Sequence, residues 1–254
     1  MKEQWRLLKT ENITAAKNMA IDRAVLVANS EGFAPPTVRF FTWKPPAISI
    51  GYFQSLEEEV DLEVCKKLGV DYVRRITGGG AVFHDDELTY SIVIPETHPQ
   101  IPINIMASYG RICGAIINGL GHLGIESYYK PINDIIADSR KISGNAQTRK
   151  LKTVLQHGTV LMDVDVEKMF SILKVPNEKI RDKLISDVKE RVTSVKHVLG
   201  RDVSFSDAAE AMKTGFEEEF NVELVDSKLS EEELKLAENF EKDFFGSKEW
   251  NHRR

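Results

Sequence analysis

Two arginines, three consecutive glycines and a His-Asp pair fall within Arg74–Asp85, RRITGGGAVFHD. Contiguous glycines are costly, because each surrenders more backbone freedom on folding than any other residue. The segment must therefore need a turn that only glycine makes, or a ligand that touches bare backbone. Glycine loops let backbone N–H groups approach an anion or an apolar chain, and Arg74 and Arg75 could supply charge. The spacing is not that of a P-loop, since no Lys-Ser/Thr follows. Nor is it a dinucleotide fingerprint, since Gly78, Gly79 and Gly80 are contiguous. Spacing alone slightly favours a tight hairpin with its arginines in water.

A second candidate is KPINDIIADSRKISGNAQTR, which gathers Lys130, Asn133, Asp134, Arg140, Lys141, Asn145, Gln147 and Arg149. Strand alternation would put Lys141 and Ser143 on one face, with Gly144 opening space beside them. A lysine there could neutralise a phosphate, and Asp134 could hold a magnesium ion or a hydroxyl. The plain alternative is a polar hairpin with a solvated lysine. His157, in LQHGTVLMDVD, precedes an apolar strand, where a lone histidine is most often structural. His84 and Asp85 are neighbours on a strand and point to opposite faces. A Ser/His/Asp-type triad therefore carries little weight.

The elements that must position these residues are readable in outline. TAAKNMAIDRAVLVANSEG reads as a helix with Ala16, Met19, Ala20, Ala24 and Val27 on one face and Gly32 as its stop. TVRFFTW and AISIGYF are β-rich runs split by KPP. LEVCKKLG is a short helix closed by Gly69. VDYVRRI is a strand feeding the glycines, and LTYSIVIP is the next strand. A longer helix spans about 103–123, with Tyr109, Ile112, Cys113, Ile116, Leu120 and Leu123 as its apolar stripe. ADSR is a turn joining two strands between Ile136 and Lys141. The last third is mostly helical, with a capping box at Ser230 and Glu233. Helix, strands, helix, strands, then helices predicts an α+β fold with a mixed or antiparallel sheet.

The totals narrow the function classes. The chain has 254 residues, 42% apolar and 29% charged, which fits one large domain or two small ones. A net charge of −5 gives no reason to expect nucleic-acid binding. No apolar run is long enough to span a bilayer, and MKEQWRLLKTEN lacks a signal-peptide core, so the cytoplasm is expected and no membrane partner. Cys65 and Cys113 form no metal or redox spacing and are expected to be buried free thiols.

Taken together, these segments resemble the lipoate–protein ligase family, within the biotin/lipoate ligase and octanoyltransferase superfamily. RRITGGGAVFHD, NDI followed by RKISGNAQ, QHGTVL, ERVTSV and the terminal EWN occur in the family's order and span nearly the whole chain. The resemblance implies a class II biotin/lipoate ligase-like α+β fold, with one large and one small mixed or antiparallel sheet flanked by helices. It implies a single catalytic domain over residues 1–254, ending where the family's large domain ends and lacking the accessory C-terminal domain.

The resemblance also implies a reaction. Lipoate would attack the α-phosphate of ATP, and a carrier-domain lysine would then take the lipoyl group from lipoyl-AMP. Lys141 maps onto the lysine that contacts acyl carbonyl and phosphate, so it is the expected catalytic residue. Arg75, Gly78, Gly79, Gly80, Val82, His84, Asn133, Asp134, Ser143, Gly144, Ala146, His157 and Gly158 map onto the acyl- and adenylate-binding set, with Asp134 the expected magnesium ligand. GYFQS maps onto the same cleft. The implied cosubstrates are ATP, Mg²⁺ and lipoate. The implied partners are a lipoyl carrier, either a 2-oxoacid dehydrogenase acyltransferase subunit or the glycine-cleavage H protein, and a small accessory ligase subunit.

The rival within the superfamily is acyl exchange between carriers, as in octanoyltransferases and lipoyl amidotransferases that use a cysteine thioester and no ATP. KNMAIDRAV and the chain length resemble the single-domain octanoyltransferases. Their nucleophile lies ahead of the RKISG-type segment or after the QHGTVL-type strand. Here those regions read Lys130-Pro131-Ile132-Asn133 and Lys174-Val175-Pro176-Asn177, without cysteine. On that ground the sequence favours the ligase. Biotin ligase is disfavoured because its Gly-Arg-Gly-type loop is absent, and a lipoate-binding sensor because the lysine and the glycines are intact.

Overall fold

A computed structural model describes residues 2–175 and 178–253. Eleven strands form two sheets. The strands are β1 (Glu3–Ile13), β2 (Thr37–Trp43), β3 (Ala47–Ile50), β4 (Asp71–Arg74), β5 (Val82–His84), β6 (Glu87–Pro95), β7 (Ser127–Lys130), β8 (Asp134–Ala137), β9 (Arg140–Lys150), β10 (Thr153–Leu161) and β11 (Val222–Asp226). The large sheet runs β11-β1-β2-β6-β10-β9-β8-β7, and the small one β4-β3-β5. In the large sheet β1 pairs parallel with both β2 and β11, while the run β2-β6-β10-β9-β8-β7 is antiparallel; in the small sheet β3 pairs parallel with β4 and antiparallel with β5. This is the expected α+β architecture with one large and one small sheet.

The helices are α1 (Ala15–Ser30), α2 (Leu56–Glu59), α3 (Leu62–Leu68), α4 (Ile105–His122), α5 (Val166–Ile172), α6 (Glu178–Arg191), α7 (Val195–Leu199), α8 (Phe205–Phe220), α9 (Glu231–Phe240) and α10 (Lys248–Asn251), with a π-helical turn at Glu241–Phe245. The large sheet is buried on both faces, which is why its central strands read as continuous apolar runs. Phe40, Ile92 and Val154 join α4 and α8 in one core. Phe41, Val93 and Leu155 join α1, α9 and the C-terminal turns in another. Ile48 and Ile50 of the small sheet pack with Leu56, Val60, Cys65, Val70 and Ile172 in a third.

Two elements escape sequence reading. The β1 strand is half polar, and β11 has five residues, of which only Val222 and Leu224 are buried. Neither is a clean alternating run, and both take their strand form from pairing, β11 along the sheet's edge and β1 between β11 and β2. The α1 helix is found, but its narrow apolar stripe is not. It is pressed between the large sheet and α9, so Asn18, Asp22 and Asn29 are buried with the apolar residues, whereas Ala16 and Val27 are only half-buried. The α4 stripe is as expected, with Tyr109, Ile112, Cys113, Ile116 and Leu120 buried. ADSR forms a two-residue turn with Asp138 and Ser139 both left-handed. Ser230 and Glu233 form the expected capping box, and Glu233 also pairs with Arg6.

The site is fixed in place by a C-terminal latch. The Arg74 guanidinium is fully buried and donates to the carbonyls of Gly51, Tyr52, Gln54, Trp250, Asn251 and Arg253. In return, Asn251 Oδ1 accepts from Arg74 N–H at 2.8 Å, and the Trp250 indole donates to Arg74 O at 2.9 Å. The terminal EWN therefore clamps the 51–54 loop against β4. Asn251→Ala strips an acceptor from a buried backbone N–H and two donors from the carbonyls of Phe245 and Ser247. It should lower the urea unfolding free energy by roughly 1–3 kcal/mol with an unchanged m-value.

Candidate active site

The triple-glycine segment links β4 to β5. Gly51 and Gly79 meet there backbone to backbone, since a Cβ on Gly51 would stand 1.9 Å from the Gly79 carbonyl oxygen. Gly79 also has φ +99°, so both positions demand glycine. Gly78 and Gly80 are different: a Cβ on either would meet no described atom within 4 Å. Half of the glycine requirement is thus intramolecular, and half leaves open space beside the turn.

Arg75 holds this turn from within. Its Nη1 donates to Ser49 O and Oγ, each at 2.7 Å, and its Nη2 donates to Gly78 O at 3.1 Å and Gly80 O at 2.9 Å. Burial pushes its pKa down to about 10, which still leaves it charged at neutral pH. The expectation that both arginines present charge to a ligand is corrected here. Arg74 and Arg75 are consumed by backbone oxygens, because tight turns leave carbonyls that only a multidentate donor can satisfy.

Two acid–histidine–hydroxyl arrays flank the turn. His157 Nδ1 lies 3.3 Å from Asp22 Oδ2, and its Nε2 lies 2.7 Å from Thr77 Oγ1. Asp22 also accepts from Arg39 and Ser91, both at 2.9 Å. Burial raises the Asp22 pKa, but the hydrogen bond from His157 and the Arg39 charge outweigh it, leaving the carboxyl below its ordinary value. Burial lowers His157 more than Asp22 raises it. The ring is therefore neutral, giving Nδ1–H to Asp22 and accepting the Thr77 hydroxyl at Nε2.

In the second array, His84 Nδ1 lies 2.6 Å from Glu87 Oε1 and Nε2 lies 2.6 Å from Ser49 Oγ. The His84 ring stacks on Trp43 at 4.0 Å. Ser49 and Thr77 are fully buried, so their hydroxyls fasten the turn to the sheets and do not face substrate. The sequence could not show these arrays, because Asp22, Ser49, Thr77 and Glu87 come from distant segments. Asp22, buried among the apolar positions of α1, was the available signal.

Lys141 lies at the mouth. Its Nζ is 2.7 Å from Asp134 Oδ1, and both side chains are about a third exposed, at 38% and 32%. The expected sharing of a face with Ser143 is not found. The β8–β9 ladder slips at Ile142, pairing Ile136 with Lys141 and Ile135 with Ser143. That slip carries Lys141 over Gly144, where an added Cβ would stand 2.8 Å from the ammonium nitrogen. A cavity of about 390 Å³ opens next to it, lined by Arg140, Asp163, Lys189 and Val192–Ser194.

The remaining expected residues divide. Val82 and Ala146 are half-buried near the turn, paired across the ladders with Ser49 and His157. Ser143, Asn133 and Gly158 serve the framework. Asn133 Nδ2 donates to Asn145 O, Asn145 returns a bond to Asn133 O, and a Cβ on Gly158 would stand 2.0 Å from Asn145 Oδ1. Asp134 has Lys141 as its partner. The Lys141 ammonium thus takes the carboxylate oxygen that the expected magnesium ion would need, and among the described residues no group of three or more His, Cys, Asp or Glu side chains is placed to hold a metal ion.

Burial pushes the Cys65 thiol up to about 11 and the Cys113 thiol up to about 12, and both lie in apolar cores. Of the second segment where a nucleophile was sought, Pro176 and Asn177 lie outside the described residues. No helix among the described residues is long and apolar enough to cross a membrane.

Comparison with known proteins agrees with the fold and corrects the activity. A family described as the lipoyl protein ligase A/B catalytic domain matches residues 14–217. Among curated relatives, octanoyltransferase LipM of Brevibacillus brevis is 38% identical over 99% of the chain and 100% of its own length. The LipM of Bacillus subtilis is 34% identical over 100% and 99%. A solved structure of a bi-partite lipoate protein ligase with its E2 lipoyl domain, from Thermoplasma acidophilum, has a TM-score of 0.89 at 33% identity, covering 99% of this chain and 98% of its own. A lipoate-protein ligase A bound with ATP has a TM-score of 0.81 at 31% identity, covering 99% of each chain. Full-length relatives named as octanoyltransferases overturn the expected ATP-dependent, adenylate-forming ligase. The absence of a cysteine in the Lys130–Asn133 and Lys174–Asn177 segments argued for the ligase only if transfer must pass through an enzyme thioester.

The Asp22–His157 array makes stability pH-dependent with a defined sign. A folded-state histidine pKa below the ordinary ~6.5 means that the unfolded chain binds the proton first as pH falls. Stability is thus fully present above about pH 6.5 and is lost as pH falls below it, and Asp22, also depressed, adds a further loss in more acidic solution. His157→Gln should therefore show a flatter fall in unfolding free energy between about pH 7.5 and 5 than the unaltered chain, measured by urea titration at each pH.

Proposed function

The chain belongs to the lipoyl protein ligase A/B catalytic-domain family, and from that membership we propose that it transfers an eight-carbon acyl group, octanoyl or lipoyl, onto the ε-amine of a lysine in a lipoyl carrier domain. The observation that carries this reading is full-length similarity to octanoyltransferases, combined with an accessible Lys141 over Gly144 and a glycine turn open at Gly78 and Gly80. The acyl chain lies along the bare backbone of Gly78 and Gly80, where no side chain intrudes. Lys141 leaves Asp134 to meet the acyl carbonyl oxygen, and Gly144 keeps the space it crosses free.

Neither cysteine supplies a thiolate, so the acyl group passes directly from donor to acceptor. The carrier lysine, as the free amine, attacks the carbonyl of an acyl thioester. A C–N bond forms, the C–S bond breaks, and the proton lost by the amine leaves with the thiol. The Lys141 ammonium stabilises the oxyanion between the two steps, the interaction that grows most as charge moves onto oxygen. The acceptor is a carrier domain of the 2-oxoacid dehydrogenase or glycine-cleavage type.

Incubation with an octanoyl-thioester carrier and an apo lipoyl domain, without ATP, should add an octanoyl mass to the acceptor lysine; no mass gain would refute the reading. Lys141→Ala should lower that rate by ~10²–10³-fold, equivalent to roughly 3–4 kcal/mol of transition-state stabilisation, with the fold intact by circular dichroism. The double variant Cys65→Ser, Cys113→Ser should keep its activity; a folded double variant that transfers nothing would restore the thioester route.

A further inference from the structure

The chain as a whole is acidic, with a net charge of −5, yet one cleft of about 540 Å³ is lined by Arg23, Lys150 and Arg253 and by no carboxylate. It lies between α1, the β9–β10 turn and the C-terminal turns, behind the glycine segment. Ile76 lines it, while the neighbouring Thr77 reaches His157 on the other side. Its walls are Leu26, Ile76, Tyr52, Phe244 and Trp250.

The three cations are stacked on these rings. Arg253 Cζ is 3.7 Å from the Trp250 centroid and 4.0 Å from that of Tyr52. Arg23 Cζ is 4.0 Å from the Phe244 centroid, and Lys150 Nζ is 4.7 Å from that of Tyr52. Phe244 and Trp250 are themselves 3.9 Å apart, so the cations share one aromatic cluster. Among the described residues none of the three has an ion-pair partner. Arg23 Nη1 is buried with no hydrogen-bond acceptor. A buried unbonded donor on a charged group is costly.

Stacking occupies the face of a guanidinium; Arg253 also bonds the Tyr52 hydroxyl, and the N–H groups left over have the geometry that receives phosphate oxygens in pairs. Two guanidiniums and an ammonium call for more than the single charge and two oxygens of a carboxylate. We propose that this cleft is a binding site for a small phosphate ester, its phosphate held by Arg23, Lys150 and Arg253 and its apolar body against Leu26, Ile76 and Phe244. Its lining includes none of Lys141, Asp134, Gly78 or Gly80, and the proposal does not rest on the acyl-transfer reading.

Calorimetric titration of the full chain at fixed ionic strength, with n-butyl phosphate, inorganic phosphate and butanoate, tests this. Butyl phosphate should bind one to one and shift the Trp250 indole N–H resonance. It should bind at least about tenfold more tightly than inorganic phosphate, because its chain is buried, and more tightly than butanoate. Lys150→Gln, on an exposed side chain that keeps the fold, and Arg23→Gln should each weaken it at least about tenfold. Lys150→Gln should leave acyl transfer unchanged. An absence of saturable binding, equal affinity for butanoate, or binding untouched by Lys150→Gln would overturn the site.

Discussion

The architecture of the site rests on the approach of two backbones at Gly51 and Gly79, closer than any side chain permits. Such contact leaves carbonyl groups pointing inward, and a buried carbonyl must find a donor. Arg75 answers on one side and Arg74 on the other, each spreading its fork over several oxygens. The result is a rigid bend whose outer edge, at Gly78 and Gly80, is free of its own chain. A flexible loop could also expose backbone, but it would lose ordering entropy each time a ligand docked. This one is ordered in advance.

The two histidine arrays extend that rigidity into the sheets. Asp22 and Arg39 form a buried ion pair, an arrangement that is weak evidence for stability in itself but costs about 3–5 kcal/mol when one partner is removed. Here the pair has a further task, since Asp22 fixes which ring nitrogen of His157 holds the proton and so how Thr77 is held. Glu87 does the same for His84 and Ser49. The mobile charge is left to Lys141, whose partner Asp134 is as exposed as itself, so the pair can open at small cost. The buried groups are fixed by several partners each, whereas this ammonium is loosely held by one.

How much of this was legible follows from what kind of information each feature needs. Glycines, a lysine beside a glycine, an apolar helix face and a capping box are local, and RRITGGG, RKISG, the α4 stripe and Ser230–Glu233 were all readable. The roles of Arg74 and Arg75 were not, because a guanidinium serving carbonyls has the same sequence as one serving a phosphate. The face of Lys141 was misjudged because a one-residue slip at Ile142 inverts strand parity. Asp22, Asn18 and Arg39 were missed because a doubly covered helix hides polar residues among apolar ones. The β1 and β11 strands escape sequence reading because partners in the sheet, and not alternation of apolar residues, make them strands. The activity was misassigned because a missing cysteine was weighed more heavily than the likeness of the chain as a whole.

The grip of Arg74 on the carbonyls of Trp250, Asn251 and Arg253 orders events during synthesis. Until those residues emerge from the ribosome, the β4 guanidinium has no distal acceptors and the Gly51 loop has nothing to press it home. The glycine bend is therefore completed only after residues 250–253 have been made, although the glycines themselves precede them by some 170 positions. Cleavage ahead of Trp250 would loosen the bend without altering a single atom of Gly78, Gly79 or Gly80.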